Sequence, residues 1–173
     1  MLYSIKFLLS ENGDFLYSWE GKIFETITLL NNSYLLLIMT TEDTYTKLIK
    51  FLDENKAQYR LIVHEPEGRT DVVSSLRGNK LSQAAKCIVV MVKITKKDKK
   101  YILATVPGDA KVNLNAIKDL FHGIYVSFAT QEIAEKLTGS SSGTILPFSF
   151  NPELELIVDP KLLENDEIFF NAA

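Results

Sequence analysis

Apolar positions along this chain follow two different spacings, one typical of helices and one typical of strands. In residues 40–58, the apolar positions 45, 48, 49 and 52 recur every three or four residues behind threonines and acids, which predicts an amphipathic helix with a Thr cap. The same spacing predicts three further helices, each ended by a glycine. They are TDVVSSLR before Gly78, with Thr70 as its cap, VNLNAIKDLFH before Gly123, and TQEIAEKLT before Gly139, with Thr130 as its cap.

Continuous or alternating apolar runs predict the strands. These runs are YRLIVH, KCIVVMVKI, YILATV, ELELIV and EIFFNAA, and the lysine-rich turn TKKDKK joins the second to the third. Strands and helices do not alternate regularly as they would in a doubly wound sheet. The pattern therefore favours a single compact α+β domain.

The first 38 residues have a β-type pattern of their own. LLSENGDFLYSW predicts a hairpin with Asn12-Gly13 at its turn. Since Met39 directly precedes the first predicted helix, we expect residues 1–38 to be an extension and residues 39–173 to be the domain. A chain beginning at Met39 is expected to fold and to keep its activity.

Composition narrows the possible functions. The chain has 173 residues, 46% hydrophobic and 24% charged, with a net charge of −3, so no global positive field attracts nucleic acid. One cysteine and two histidines predict neither a disulfide framework nor a metal site, and they fit a reducing cytoplasm. The most apolar run, Ser33–Met39, falls far short of the ~20 residues that span a bilayer, so no membrane contact is expected.

Two motifs bear on candidate chemistry. The cluster of Lys93, Lys96, Lys97, Lys99 and Lys100 is either a solvated hairpin tip or a local phosphate contact. The run GSSSG lacks the lysine and the spacing of a nucleotide-binding P-loop.

Two neighbouring residues at the start of one strand offer the other possibilities. Cys87 could be a nucleophile with His64 or His122, but its apolar strand favours a buried, inert thiol. Lys86 precedes this run directly after SQAA, where it either extends to solvent or lines a pocket.

Residues 59–173 resemble a known family, together with the helix that precedes them. The resemblance lies in five stretches: HEPEGRT, SSLRGNKLSQAAKCIVVMV, YILATVPGDAKVNLNAIKDLF, FATQEIAEKLTGSSSGTILPF and ELIVDPKLLENDEIFFNAA. These stretches are similar to the YbaK/prolyl-tRNA synthetase-associated editing domains. These domains are aminoacyl-tRNA deacylases with a curved mixed sheet flanked by helices. Many members also continue past the strand that ends this chain, and free-standing members usually begin near the helix after Met39.

The resemblance implies a site. The pocket lysine of the family corresponds to Lys86, and its Gly-x-x-x-Pro loop corresponds to Gly143 through Pro147. Lys86 would anchor the substrate, and the backbone of Gly143 with Thr144 and Ile145 would bind the ester carbonyl, where negative charge develops. Arg69 and Thr70 are further pocket candidates, although Thr70 could equally be only a helix cap.

The resemblance also implies a function and partners. We expect a trans-editing deacylase that removes a small wrong amino acid from the acceptor end of mischarged tRNA, with tRNA(Pro) as the expected acceptor and prolyl-tRNA synthetase as a further partner. No cofactor is expected. Two alternatives remain open: a non-catalytic module that binds tRNA or a synthetase, and a small-molecule enzyme that uses Lys86 as a Schiff base.

Overall fold

The structure, a computed structural model, describes residues 2–8 and 43–172. The helices are α1 (Thr44–Glu54), α2 (Thr70–Arg77), α3 (Leu114–Leu120) and α4 (Gln131–Thr138), with short 3-10 helices at Leu81–Gln83 and Pro160–Glu164. The strands are β1 (Leu2–Leu8), β2 (Tyr59–His64), β3 (Ala85–Lys93), β4 (Lys99–Pro107), β5 (Tyr125–Phe128), β6 (Leu154–Val158) and β7 (Glu167–Asn171). This mixture of elements confirms the α+β class.

The strands form two sheets. One is antiparallel, in the order β2-β1-β7, and the other is mixed, in the order β5-β3-β4-β6, with β6 parallel to β4. A single parallel bridge between Ala84 and Phe169 connects the start of β3 to β7. The two sheets therefore meet where β3 begins.

Helices cover both faces of the mixed sheet. Alternation along β3 and β4 sends one set of side chains toward Ile117 of α3 and the other toward Ala134 of α4. A separate cluster joins α1 to β7, and it contains Leu48, Leu52 and Phe170. The expected mixed sheet flanked by helices is confirmed, and a second sheet stands beside it.

The predicted helices form, but three of their ends differ from expectation. The cap of α1 is Asp43, whose carboxylate accepts a hydrogen bond from the Thr46 N–H at 2.7 Å, and not a threonine. Helix α2 begins at Thr70 itself, and Arg69 in the cap position makes no side-chain capping bond. Gly78 and Gly139 end α2 and α4 as predicted, in the left-handed conformation. Helix α3 instead ends at Leu120 with Phe121 as its cap, two residues before the predicted Gly123.

The N-terminal segment is only partly described. The predicted turn at Asn12-Gly13 lies outside the described residues. Leu2–Leu8 form β1, which pairs antiparallel with β2 on one side and β7 on the other. The boundary at residue 38 stays a prediction, but this pairing argues that residues 2–8 belong to the folded domain.

Within residues 43–172, helix length and hydropathy fall short of what a bilayer crossing requires. The longest of these helices, α1, has 11 residues.

Candidate active site

A cleft of about 220 Å³ opens where the two sheets meet. It lies between α2, the start of β3, the loop after α4 and the end of β7. Its lining residues are Gly68, Thr70, Val73, Arg77, Ala85, Lys86, Cys87, Ile88, Gly143, Ile145, Phe170 and Asn171. The cleft thus brings together four of the residues expected at the site: Lys86, Gly143, Thr70 and Ile145.

Lys86 is held by backbone carbonyls at the end of the neighbouring strand. Its ammonium donates to the carbonyl oxygen of Gly108 at 3.1 Å and to that of Ala110. Both acceptors belong to the turn that follows β4. Because an ammonium has three donors, one N–H remains for a ligand in the cleft.

Cys87 also lines the cleft, but its side chain lies on the other face of β3 from that of Lys86. Its side chain packs with the cluster around Val89 and Leu103, and its sulfur accepts a hydrogen bond from the Thr105 hydroxyl at 3.7 Å. Burial raises the pKa of the Cys87 thiol to about 12, an effect that the Thr105 hydrogen bond only partly offsets. At neutral pH the thiolate that a cysteine nucleophile requires is therefore scarce.

The loop after α4 approaches the opposite wall of the cleft very closely. Gly143 has φ +91°, and a Cβ added there would stand 2.7 Å from the Cα of Gly68. The side-chain amide of Asn171 donates to the carbonyls of Gly143 at 2.9 Å and of Glu67 at 3.0 Å. Asn171 therefore ties the loop to the segment that contains Gly68.

Hydrogen bonds within the loop determine which amides can bind a substrate. The Ser142 N–H donates to the carboxylate of Glu135 at 2.9 Å, and this bond is the main reason that the pKa of Glu135 is lowered. The Thr144 N–H and hydroxyl both donate to the Ser141 carbonyl. Across the described residues, the N–H groups of Gly143 and Ile145 have no acceptor. Since both residues line the cleft, their amides are the candidate donors.

The other expected site residues lie at different depths. Thr70 lines the cleft, and its hydroxyl has no hydrogen-bond partner among the described residues. Arg69 points away: its side chain is 72% exposed and pairs with Asp71 at 2.8 Å. Thr144 and Pro147 are buried and do not line the cleft. Both residues therefore belong to the buried part of the loop.

Sequence reasoning did not find two polar residues of the cleft, Arg77 and Asn171. Burial lowers the pKa of Arg77 to about 10, and its guanidinium contacts Asn79 at 3.1 Å, Asn171 at 3.4 Å and the ring of Phe169 at 5.9 Å. Arg77 looks in the sequence like an ordinary basic residue in the last turn of a helix. The only local signal for Asn171 is a polar residue that ends an apolar strand.

Histidines and metal-binding clusters are not part of the cleft. Neither His64 nor His122 lines it. Among the residues that the structure describes, no three His, Cys, Asp or Glu side chains cluster as metal ligands would. The chemistry available in the cleft is therefore that of two cations, Lys86 and Arg77, together with backbone amides and neutral polar groups.

Curated proteins match most of the chain. It is 38% identical over 130 residues to the multifunctional Ser/Thr-tRNA deacylase ProXp-y of Escherichia coli strain K12, and equally to that of Escherichia coli O157:H7. The match covers 75% of this chain and 77% of each relative. These proteins are deacylases, in agreement with the enzyme class expected from the sequence.

Solved structures agree on the fold. The crystal structure of hypothetical protein APE2540 superimposes with a TM-score of 0.61 at 24% identity, over 69% of this chain and 77% of the other. A structure described as a candidate trans-editing enzyme for prolyl tRNA synthetase superimposes with a TM-score of 0.52 at 23% identity, over 64% of this chain and 73% of the other. The family model of the aminoacyl-tRNA editing domain matches residues 64–173. The chain therefore belongs to the aminoacyl-tRNA editing domain family.

Proposed function

We propose that this protein is a trans-acting deacylase that hydrolyses the ester between an amino acid and the terminal ribose of a mischarged tRNA. The observation that carries the proposal is the cleft that Lys86 and Gly143 both line. Membership of the editing-domain family and the names of the curated relatives support it. Such an enzyme would act in the cytoplasm, where tRNA is charged.

Lys86 would position the substrate. Its ammonium is fixed by the carbonyls of Gly108 and Ala110, so its charge stays at the cleft wall without reorganisation when a ligand arrives. The remaining N–H would contact a phosphate oxygen of the terminal nucleotide. This role explains why a lysine occupies the start of an otherwise apolar strand.

The amides of Gly143 and Ile145 would stabilise the reacting ester. When water adds to the ester carbon, the carbonyl oxygen becomes an oxyanion, and the bond to the ribose oxygen then breaks. Two backbone donors at that oxygen would each lower the barrier by about 3 kcal/mol. None of the cleft-lining residues in the described part of the chain is His, Asp or Glu. The proton of the attacking water would therefore pass to the leaving ribose oxygen, through solvent or relayed by the adjacent ribose hydroxyl.

The amino acid removed would be serine or threonine. The curated relatives are named Ser/Thr-tRNA deacylases, and Thr70, whose hydroxyl has no partner in the described part of the protein, lines the cleft. A site that hydrogen-bonds a substrate hydroxyl discriminates strongly against an analogue without it. The expected acceptor, tRNA(Pro), and a contact with prolyl-tRNA synthetase remain parts of the proposal.

The test is a deacylation panel with the full chain. The rate of ester hydrolysis would be compared with the spontaneous rate for each substrate. The substrates are tRNA(Pro) charged with Ser, Thr, Ala or Cys, and a second tRNA charged with Ser or Thr. We expect the seryl and threonyl esters to be cleaved faster than the alanyl ester, and Thr70→Val to narrow that difference. If every ester decays at its spontaneous rate while the protein still shifts tRNA mobility, the protein is a binding module and the proposal is wrong.

A further inference from the structure

The turn between β3 and β4 concentrates positive charge on an otherwise acidic protein. Five lysines lie within residues 93–100 against a single carboxylate, Asp98, and all five are exposed. We name this set, Lys93, Lys96, Lys97, Lys99 and Lys100, the lysine tip. The whole chain has a net charge of −3, so this charge is local.

Few carboxylates neutralise the lysine tip. Lys100 pairs with Glu155 at 3.5 Å, whereas Asp98 accepts a hydrogen bond from the Thr95 hydroxyl at 2.7 Å. No carboxylate among the described residues lies within 4 Å of the other four lysines. Lys93 and Lys99 also stand directly opposite each other in the antiparallel pair, an arrangement that destabilises a sheet through repulsion. A bound polyanion would remove this repulsion.

Aromatic rings flank these lysines on the same face of the sheet. Lys93 pairs with Tyr125 of the edge strand β5, and Tyr125 is 54% exposed. The ammonium of Lys99 stands 5.4 Å from the ring centroid of Tyr101. Because cross-strand partners share a face, Tyr125, Lys93 and Lys99 form one row across three strands. Cations beside an exposed ring are typical of surfaces that bind nucleic acids.

The lysine tip lies at a fixed distance from the cleft, because β3 connects the two. Lys86 lies at the cleft end of this strand and Lys93 ends it at the tip, so about 23 Å separates them at the usual rise per residue. The side chains of Lys86 and Lys93 lie on opposite faces of β3, whereas Lys100, the partner of Val92, lies on the same face as Lys86. A ligand that reaches both the cleft and the tip must extend well beyond one aminoacylated nucleotide. A tRNA acceptor arm has this length and a phosphate backbone.

We propose that the lysine tip binds the phosphodiester backbone of the tRNA acceptor arm while the charged 3′ end occupies the cleft. The identity of this partner rests on the proposed function. In this arrangement the tip supplies affinity for the tRNA body, and the cleft supplies the chemistry. Contacts to phosphates give affinity that is independent of sequence and falls as salt rises.

The test compares the triple variant Lys96→Gln, Lys97→Gln, Lys99→Gln with a control of equal charge change, Lys47→Gln, Lys50→Gln, Lys161→Gln. The control lysines are exposed and lie on α1 and the second 3-10 helix. Binding of uncharged tRNA would be measured by fluorescence anisotropy between 50 and 300 mM salt. Hydrolysis would be measured on Ser-tRNA and on a seryl ester of the trinucleotide CCA.

We expect the tip variant to bind tRNA at least about tenfold more weakly, with a salt slope lower by about three, while the control changes less than twofold. KM for Ser-tRNA should rise in parallel, and hydrolysis of the CCA ester should be unchanged. Equal effects of the two triple variants, or an unchanged salt slope, would overturn the proposal. If the wild type cleaves neither ester, the proposed function fails, but the anisotropy comparison still decides whether the tip binds RNA.

Discussion

At the scale of single residues, Gly143 is the more tightly constrained of the two glycines that line the cleft in the described part of the chain. Its φ of +91° is rarely adopted by other residues, and an added Cβ would meet the Gly68 Cα at 2.7 Å, closer than real Cβ contacts. This contact is backbone against backbone, so no side chain can rotate away. The glycine permits a close approach between two loops that form one wall of the cleft.

We therefore expect Gly143→Ala to impair both stability and turnover. The variant should lose about 1–3 kcal/mol of unfolding free energy, and its kcat/KM should fall at least about tenfold because the amides move. Gly78→Ala is the matched control, since Gly78 has φ +72° but nothing within 4 Å of the added Cβ. This control should lower the free energy of unfolding only by the backbone strain, about 1–2 kcal/mol, and its kcat/KM should be normal. Wild-type turnover of Gly143→Ala would contradict the role of the loop.

Lys86 and Cys87 should respond differently to truncation, since they lie on opposite faces of β3. Lys86→Ala should remove most deacylation and lower Tm by only a few degrees, because it loses two hydrogen bonds but little packing. Cys87→Ala should keep its activity, and its free energy of unfolding should fall by about 1 kcal/mol because a small cavity forms. Kinetics and thermal melts of both variants test this.

The Cys87 thiol offers an independent check. Because burial raises its pKa to about 12, iodoacetamide should label the folded protein slowly at pH 8 and faster only as the pH rises toward that value. Rapid labelling at pH 8, or an inactive but well-folded Cys87→Ala, would restore the cysteine nucleophile.

Site residues were predictable where a motif carried them. Lys86 and Gly143 come from the resemblance, and both line the cleft. Asn171 could not be found this way, because its amide bonds to carbonyls 28 and 104 residues away, and only the folded chain brings those together. Thr144 was expected to bind substrate, but its hydrogen bonds remain inside the loop. A local motif identifies a loop without showing which of its amides are already occupied.

At the scale of elements, apolar spacing predicted the helices and most strands, since each long element buries one face. Strand β5 was missed because its four residues, YVSF, are too few to show alternation, and it forms only by pairing with β3. The caps of α1 and α2 were placed on threonines, whereas Asp43 and Arg69 take those positions. Several residues could cap a helix there, and the packing of the helix decides which one does.

Strand β7 contributes to the site through Asn171. We expect Asn171→Ala to leave the Gly143 and Glu67 carbonyls without this donor and to lower the free energy of unfolding by about 1–3 kcal/mol. Its kcat/KM should also fall. Asn165→Ala is the matched control, because the Asn165 amide likewise donates to backbone carbonyls, including that of Ser82 at 3.2 Å, but lies outside the cleft. It should cost comparable stability and leave kcat/KM unchanged. Equal losses of kcat/KM in both would assign Asn171 a purely structural role.

At the scale of the whole molecule, the two sheets position the cleft between them. The mixed sheet supplies Lys86, and the antiparallel sheet supplies Asn171. The sequence predicted an α+β domain with a mixed sheet, but it did not predict the antiparallel sheet in which β1 separates β2 from β7. This sheet joins residues that are 52 to 62 positions apart between β1 and β2 and 159 to 167 apart between β1 and β7. Apolar spacing carries no information about which strands become neighbours.

The role of β1 provides the last prediction. Residues 1–38 were expected to be dispensable, yet β1 pairs along its length with β2 and β7, and Ile5 stands opposite both Leu61 and Phe170. A chain beginning at Met39 would leave two strands without their shared neighbour. We expect it to melt at a lower temperature and to aggregate through those open edges.

Substitutions within β1 test whether its backbone pairing, and not only the length of the chain, contributes to thermal stability. Ile5→Pro removes a backbone N–H and distorts a strand with partners on both sides, so it should lower Tm strongly. Ile5→Ala keeps the N–H and should lower Tm less. If the chain beginning at Met39 melts like the full chain, or if the two substitutions have equal effects, β1 is not part of the domain. If Tm falls as expected, Asn171 at the end of β7 links this sheet to the cleft, and kcat/KM should fall with it.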